Sequence, residues 1–202
     1  MNLHTHALRL AAAGKPVRVG LVGAGKFGSM FLSQVPTTPG LIVTTIADLD
    51  PDRARAACAN VGWDQHRIAA TRFIDSGEAL CARADVDVVI EATGHPGAGI
   101  RHALSAFQNG KHIVMVNVEA DVLAGAALAR RADEAGVVYT MAYGDQPALV
   151  SEQVEWARAS GFKVVCAGKG TKYLPEYHHV TPEGVWSHYG LTPEEAKAAG
   201  MN

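Results

Sequence analysis

Residues 17–50 read VRVGLVGAGKFGSMFLSQVPTTPGLIVTTIADLD, and this stretch decides the fold. An apolar run of strand character at 17–22 leads into the glycine turn GAGKFG at 23–28. A predicted helix follows, and a second strand-like run at 41–47 ends on Asp48. Strand, glycine turn, helix, strand and terminal acid occur in the order that a dinucleotide-binding βαβ unit requires.

Each glycine of the turn has a physical reason. Gly23 permits the tight turn out of the strand, Gly25 lets a pyrophosphate approach the backbone, and Gly28 lets the helix pack close to the strand. The pyrophosphate is expected on the free N–H groups at the start of the helix, in the segment of Lys26 and Phe27, where the helix dipole favours negative charge. The alternative interpretation is a glycine-rich turn in another kind of α/β protein.

The choice between NAD and NADP stays open. Asp48 follows Gly28 by 20 residues, where a carboxylate can accept hydrogen bonds from the adenosine ribose hydroxyls. A carboxylate there repels a 2′-phosphate and so favours NAD. Arg53 and Arg55 lie just downstream and can pair with that phosphate, or be ordinary exposed charges of a helix.

Composition indicates a globular protein and gives no sign of a polyanion-binding one. The chain has 202 residues, 48% hydrophobic and 19% charged, with a net charge of −2. It contains no apolar run long enough for a membrane span, and its start is a poor signal peptide, which we interpret as an N-terminal helix. Cys58, Cys81 and Cys166 are widely spaced, so neither a disulfide framework nor a zinc site is indicated. We therefore expect a cytoplasmic protein without nucleic-acid or membrane partners.

Strand-like and helix-like segments alternate along the rest of the chain, while residues 63–70 have a mixed pattern. Further strands are predicted at 71–73, 86–90, 112–116, 137–141 and 163–167. The alternation predicts the α/β class, with a Rossmann-type, doubly wound, mostly parallel sheet. Ligands of such sheets bind beyond the carboxyl ends of the strands. The polar or glycine residues expected along that rim, besides the first glycine turn, are Asp48, Thr93, Gly94, Asn117, Tyr143 and Gly144.

The character of the sequence changes after Gly168, where Lys, His, Tyr, Trp and Pro become frequent. About forty residues of this kind cannot bury a core alone. We therefore predict an NAD(P)-binding domain at 1–160 and, at 161–202, the beginning of an α+β substrate domain that is incomplete here. Within it, the segment Thr192-Pro193-Glu194-Glu195 is typical of a helix start.

Three motifs, EATGHP at 91–96, VNVEAD at 116–121 and GKGTKY at 168–173, resemble the homoserine dehydrogenase superfamily. The chain is more closely similar to a bacterial branch of homoserine-dehydrogenase-like oxidoreductases. That branch includes a reductoisomerase-like enzyme that makes methylerythritol phosphate from deoxyxylulose phosphate, a step of isoprenoid biosynthesis, and D-apionate oxidoisomerase. Family members are roughly twice this length, which implies that further catalytic residues lie beyond Asn202.

The resemblance implies roles for several rim residues. Thr93 and Gly94 would lie beside the nicotinamide half of the cofactor, with Asn117 and Gly144 along the same rim. The Asn-Lys pair usual in homoserine dehydrogenases is replaced by Asn117-Val118-Glu119, which argues against a plain homoserine dehydrogenase. Glu119 can reach the nicotinamide ribose, or be an acid favoured by a helix N-terminus.

The substrate side is expected in the second segment. Lys169 and Lys172 would suit a phosphate or carboxylate, and Glu176 is a candidate substrate or metal carboxylate. The alternative is a solvated loop with ordinary lysines. His95 is better explained by a structural role in a turn. His178 and His179 are adjacent and would chelate a metal ion poorly. Tyr143 and Trp186 are better explained by aromatic packing.

The predicted function is NAD(P)-dependent oxidoreduction of a small anionic polar substrate. The first choice is a reductoisomerase or oxidoisomerase, in which a skeletal rearrangement is coupled to hydride transfer. Such chemistry suits a divalent ion, Mg²⁺ or Mn²⁺, in the complete enzyme, although its ligands are unknown. The alternatives are a homoserine dehydrogenase and a non-catalytic dinucleotide-binding module. A homodimer is expected for the complete protein.

Overall fold

The computed structural model describes residues 2–143, 146–168, 175–181 and 184–198. The chain divides into two compact units, Met1–Trp156 and Ala157–Asn202. Within the described ranges, no helix is both long enough and apolar enough to cross a membrane.

The first unit is built on a six-stranded sheet with the order β3-β2-β1-β4-β5-β6. Every neighbouring pair in it is parallel. The strands are β1 (Val17–Val22), β2 (Leu41–Ala47), β3 (Arg72–Ile74), β4 (Val88–Glu91), β5 (His112–Met115) and β6 (Tyr139–Met141). This strand order is that of the doubly wound dinucleotide-binding fold, so the predicted fold class is confirmed.

Helices connect the strands and continue past the last one. They are α1 (Leu3–Ala12), α2 (Lys26–Gln34), α3 (Pro51–Asn60), α4 (Gln65–Ala70), α5 (Gly77–Cys81), α6 (Pro96–Gln108), α7 (Val118–Ala135) and α8 (Gln146–Ala159). The predicted N-terminal helix is therefore present. The mixed segment at 63–70 contains a helix that the pattern did not predict, because α4 is short and is defined by its Asp64 cap and one buried apolar residue, Ile68.

Strand β1 lies at the centre of the sheet and is buried on both faces. Val19 and Leu21 belong to one apolar cluster, whereas Val22 belongs to a second. A Cβ at Gly20 would lie 2.5 Å from a methyl carbon of the buried Leu80, so a larger residue here would force that side chain to shift. Burial on both faces explains why the strand reads as a nearly continuous apolar run.

The second unit contains short helices in its described part. Two 3-10 helices span Pro175–His179 and Val185–Tyr189, and α9 spans Pro193–Ala198. The predicted helix start is confirmed, since Thr192 Oγ1 accepts the amide of Glu195 at 3.2 Å and the Glu195 carboxylate accepts the amide of Thr192 at 2.8 Å. This reciprocal arrangement is a capping box.

The strand predicted at 163–167 is wrong, because these residues have no regular secondary structure. The segment has the β-branched composition of a strand, yet Val165 is 86% exposed. A strand needs a neighbour to satisfy its backbone hydrogen bonds, and the six-stranded sheet does not include this segment.

Candidate cofactor site

The carboxyl ends of the central strands form one rim. Val22, the last residue of β1, pairs with Ala47 of β2 on one side and with Glu91 of β4 on the other. The chain order of the strands reverses between β1 and β4, which is where ligands bind in sheets of this class. The expectation that the residues following these strands share one rim is confirmed for the described ones.

A cavity of about 410 Å³ opens at this rim. Its wall combines the glycine turn, the end of β2, the turn after β4 and the N-terminal parts of three helices, α3, α5 and α6. Residues that line it include Gly23, Gly25, Asp48, Arg53, Thr93 and His102.

The glycine turn has the geometry that its sequence predicts. Gly23 has a φ of +94°, and a Cβ there would lie 2.8 Å from the carbonyl oxygen of Ala92. At Gly28 a Cβ would collide with the carbonyl oxygen of Gly23, so the helix can approach the strand this closely only because residue 28 is glycine. At Gly25, by contrast, no described atom lies within 4 Å of the Cβ position. The turn is therefore closed behind Gly23 and Gly28 and open in front of Gly25.

Helix α2 starts at this open position without a side-chain cap. Its N-cap residue is Gly25, which makes no capping hydrogen bond through a side chain. Helices α1 and α3 to α7 each begin with a residue whose side chain accepts a backbone N–H of the first turn. The exposed N–H groups at the start of α2 thus remain available to an anion. Lys26 and Phe27 are exposed in this first turn.

Asp48 is buried beside the glycine turn and is held by three donors. Its side chain is 4% exposed and accepts the amide of Ala24 at 2.9 Å, the amide of Asp50 at 3.1 Å and the Arg53 guanidinium at 2.6 Å. Burial by itself raises the pKa of Asp48. The hydrogen bonds from Ala24, Asp50 and Arg53 outweigh it and hold the pKa below its ordinary value. The site therefore presents a fixed carboxylate at the end of β2.

Thr93 and Asn117 are brought together across the ends of β4 and β5. The Asn117 side-chain amide donates to Thr93 Oγ1 at 3.3 Å and to the carbonyl oxygen of His95 at 3.0 Å. His95 Nδ1 in turn accepts the amide of Ala98 at 3.2 Å and caps α6, which agrees with a structural role in the turn. The Thr93–Gly94 turn is thus tied to the start of α7.

Two functional candidates at this rim were missed by the sequence analysis. Glu91 is 0% exposed, and its Oε1 lies 3.1 Å from Nδ1 of His102, which is 6% exposed. The available signals were a glutamate at the end of the apolar strand VVIE and a histidine at a helix position that faces the core. The structure adds that Gly77 makes room for the His102 ring, because a Cβ at residue 77 would collide with it.

The other predicted residues are placed as follows. Glu119 is exposed in the first turn of α7, and Gly94 is exposed in the turn after Thr93. Gly144, Lys169 and Lys172 lie outside the described residues. The backbone at Glu176 belongs to the 3-10 helix Pro175–His179, and its side chain is outside the described part.

The histidine pair and two aromatic candidates also have described positions. The rings of His178 and His179 lie edge to face with centroids 5.5 Å apart, in a 3-10 helix. Tyr143 donates to the Glu152 carboxylate at 2.7 Å, and Trp186 is half-buried. Among residues 2–143, 146–168, 175–181 and 184–198, no three His, Cys, Asp or Glu side chains converge as metal ligands.

The sheet order and the glycine turn are those of doubly wound nucleotide-binding α/β proteins. Residues 17–143 match the model of the oxidoreductase family with an NAD-binding Rossmann fold, and the chain belongs to that family. Residues 144–202 match the model described as the catalytic domain of oxidoreductase DRL. The prediction of an NAD(P)-dependent oxidoreductase is thereby confirmed at the level of the family.

The curated relatives include two dehydrogenases and several glycosyl hydrolase family 109 proteins. Homoserine dehydrogenase of Neisseria gonorrhoeae is 31% identical over 112 residues, which are 51% of this chain and 23% of that protein. Inositol 2-dehydrogenase of Acidothermus cellulolyticus is 33% identical over 86 residues, which are 42% of this chain and 23% of that protein. The matched part thus spans about a quarter of these relatives.

Solved structures share the fold at low sequence identity. The WlbA dehydrogenase of Bordetella pertussis, in complex with NADH and UDP-GlcNAcA, gives a TM-score of 0.52 at 24% identity, over 71% of this chain and 44% of that one. The myo-inositol dehydrogenase of Lactobacillus casei, in complex with NAD(H) and myo-inositol, gives a TM-score of 0.53 at 19% identity, over 70% of this chain and 42% of that one. These likenesses concern the fold alone.

Proposed function

We propose that this chain carries the cofactor domain, and the beginning of the catalytic domain, of an NAD(P)-dependent oxidoreductase that acts on a small anionic polar substrate. The observation that carries the proposal is the start of α2. This helix begins uncapped at Gly25, where the Cβ position is open, and Asp48 is fixed beside it in the same cavity. The domain boundary near residue 160 is part of the proposal.

The described residues fit a dinucleotide from one end to the other. The N–H groups at the start of α2 bind the pyrophosphate, and the open space at Gly25 admits it. Asp48 Oδ2 accepts the Ala24 amide and retains a lone pair for a ribose hydroxyl. Thr93, Gly94 and Asn117 hold the second half of the cofactor beyond β4 and β5. When bound, the nicotinamide ring carries the hydride, and the protein orients it.

Arg53 is the residue that can decide between the two cofactors. Its guanidinium is 2.6 Å from Asp48 Oδ1 and its side chain is 64% exposed, so it can turn to a 2′-phosphate while Asp48 keeps its backbone donors. If it does so, Arg53→Ala weakens NADPH binding about tenfold and leaves NADH binding within about twofold. An equal loss of affinity for both cofactors would show that Arg53 does not discriminate between NADPH and NADH.

The reaction we propose is of the reductoisomerase or oxidoisomerase type. Two lines support it: the resemblance at residues 91–96, 116–121 and 168–173, and the match of residues 144–202 to a catalytic domain. Lys169 and Lys172 would bind the anionic group of the substrate, and Glu176 is the candidate carboxylate. A divalent ion and a homodimer remain predictions for the complete protein. No step is assigned to the ion, because no cluster of described side chains fits it.

A homoserine dehydrogenase is the second candidate, and its specific support is the Neisseria gonorrhoeae relative. The segment Asn117-Val118-Glu119 lacks the lysine that the resemblance leads one to expect, which disfavours it.

One assay separates the two candidates. The protein from the complete gene is given NADPH or NADH with phosphorylated ketoses and sugar acids in one series, and with aspartate semialdehyde in the other, and cofactor absorbance is followed. We expect turnover in the first series, with Lys169→Met and Lys172→Met raising KM for the anionic substrate. Arg130→Met, an exposed cation on α7, is the matched control. Turnover only with aspartate semialdehyde would establish the second candidate, and tight cofactor binding without any turnover would favour a non-catalytic module.

A further inference from the structure

Glu91 is a buried acid at the point where the strand order reverses. It ends β4, pairs with Val22 of β1 and is 0% exposed. A buried carboxylate is costly unless it is paired and hydrogen-bonded, and a dinucleotide-binding strand needs no acid here to pack. Glu91 therefore calls for an explanation beyond packing.

The hydrogen bonds around Glu91 have a fixed direction. Asn117 Oδ1 accepts the amide of Ala120 at 3.1 Å, so its nitrogen faces the turn and donates to Thr93 Oγ1 at 3.3 Å. Because that oxygen accepts from Asn117, the Thr93 hydroxyl proton is directed to Glu91 Oε1 at 2.6 Å. The series of hydrogen bonds thus starts at the Ala120 amide of α7, passes through the side chains of Asn117 and Thr93, and ends on the side chain of Glu91.

His102 approaches the same oxygen from α6. Its Nδ1 lies 3.1 Å from Glu91 Oε1, and the tautomer that carries its proton on Nδ1 donates to that oxygen. Its Nε2 lies 3.6 Å from the Glu78 carboxylate, which is itself paired with Arg101 at 3.3 Å. The Thr93 hydroxyl and His102 Nδ1 thus both contact Glu91 Oε1. Oε2 has no hydrogen-bond partner among the described residues.

We propose that Glu91 is a positioning residue that makes this site prefer the oxidised cofactor. The proposal rests on the proposed function. The two halves of a dinucleotide lie on either side of the point where the strand order reverses. With the Asp48 side holding the adenosine half, the nicotinamide half lies toward β4 and β5. The oxidised ring carries a positive charge and the reduced ring does not. A fixed carboxylate under the Thr93 turn therefore stabilises the oxidised form more than the reduced form.

The test is a ratio of affinities measured on the 202-residue chain. Calorimetry gives the Kd for the oxidised cofactor, the reduced cofactor and ADP-ribose, which lacks the nicotinamide ring. We expect the wild type to bind the oxidised form more tightly than the reduced form. Glu91→Gln should shift that ratio about fivefold toward the reduced form and leave the affinity for ADP-ribose within about twofold.

Two further variants separate charge from structure. Glu134→Gln, which removes an exposed carboxylate near the end of α7, is the matched control and should leave the ratio unchanged. Thr93→Val keeps the Glu91 charge but removes the hydroxyl, so it should weaken both cofactor forms together and keep their ratio. If thermal unfolding shows that Glu91→Gln does not fold, the inference is tested by the other two measurements. The wild type should still prefer the oxidised cofactor, and Thr93→Val should keep that preference.

The outcomes are distinct. Equal losses of both cofactor forms in Glu91→Gln, or a wild type that prefers the reduced form, would overturn this inference alone. A folded wild type that binds neither ADP-ribose nor either cofactor would overturn the proposed function and this inference with it.

Discussion

Gly25 and Gly28 belong to the same motif, but alanine should weaken ligand binding at Gly25 and folding stability at Gly28. A Cβ at Gly25 meets no described atom within 4 Å, whereas a Cβ at Gly28 collides with the carbonyl oxygen of Gly23. The conformation at Gly25, φ −71° and ψ −155°, is one that alanine adopts without strain. Gly25→Ala should therefore change the space available to a ligand and not the fold, while Gly28→Ala should change the fold.

The magnitudes follow from the local geometry. Alanine is a poorer N-cap than glycine, so Gly25→Ala should cost at most about 1 kcal/mol, or about 2–4 °C in Tm for a chain of this size. The added methyl group occupies the position in front of the N–H groups of α2, and binding of the dinucleotide should weaken at least tenfold, by about 1.4 kcal/mol. In Gly28→Ala backbone must move, and the cost should be about 1–3 kcal/mol of folding stability.

The assay is thermal unfolding of both variants, combined with a titration by NADH and by NADPH. The expected pattern is a nearly normal Tm with lost binding for Gly25→Ala, and a lowered Tm for Gly28→Ala. Wild-type affinity in folded Gly25→Ala would refute the placement of the pyrophosphate at the start of α2, however well the motif matches.

Two further predictions concern titrating groups in the first unit. Asp48→Asn should lower the free energy of unfolding by about 1–3 kcal/mol at pH 7, because a charged acceptor of three hydrogen bonds is lost. Since the folded-state pKa of Asp48 is depressed, its contribution is complete above its unfolded value of about 4 and disappears as the pH falls through the folded value. Urea unfolding should thus show the gap between wild type and variant closing in acid, and a gap that persists unchanged at pH 3 would contradict the assignment. Burial raises the pKa of Cys58 to about 11 and that of Cys81 to about 12. A thiol reagent at pH 8 should therefore react only with the exposed Cys166 in the folded chain, and with all three thiols in denaturant. Rapid reaction of a second thiol in the folded chain would contradict the burial of Cys58 and Cys81.

The sequence predicted the parts of the fold that depend on local pattern. The order from β1 through α2 to Asp48 could be predicted because glycine spacing and apolar runs act over short distances. Asp50, which precedes Pro51, likewise caps α3 through a local interaction, because its carboxylate accepts the amides of Asp52 and Arg53. Such features need no knowledge of distant parts of the chain.

The parts that escaped prediction depend on contacts between distant segments. Residues 163–167 have the composition of a strand, but composition does not supply the neighbouring strand that would pair with it. Glu91 and His102 are 11 positions apart and become partners only when α6 packs beside β4, with Gly77 of α5 making room for the ring. A histidine on an apolar helix face indicates a buried polar group, but the sequence does not identify its partner.

The burial of Asp48 also could not be predicted from the sequence. Its position at the end of β2 could be predicted, but its hydrogen bond to Ala24 depends on how the glycine turn lies against that strand. The structure thereby changes the expected role of Asp48, since the residue stabilises the glycine turn as well as being the candidate ribose ligand. Substitutions at Asp48 must therefore be read with a stability measurement beside the binding measurement.

Residues 17–50 should form a functional dinucleotide site, and a fluorescence titration of the 202-residue chain with NADH and with NADPH measures this binding. Circular dichroism confirms beforehand that the chain is folded. We predict saturable binding of at least one cofactor in the micromolar range, competed by ADP-ribose and lost in Gly25→Ala. A folded chain that binds neither cofactor would contradict it.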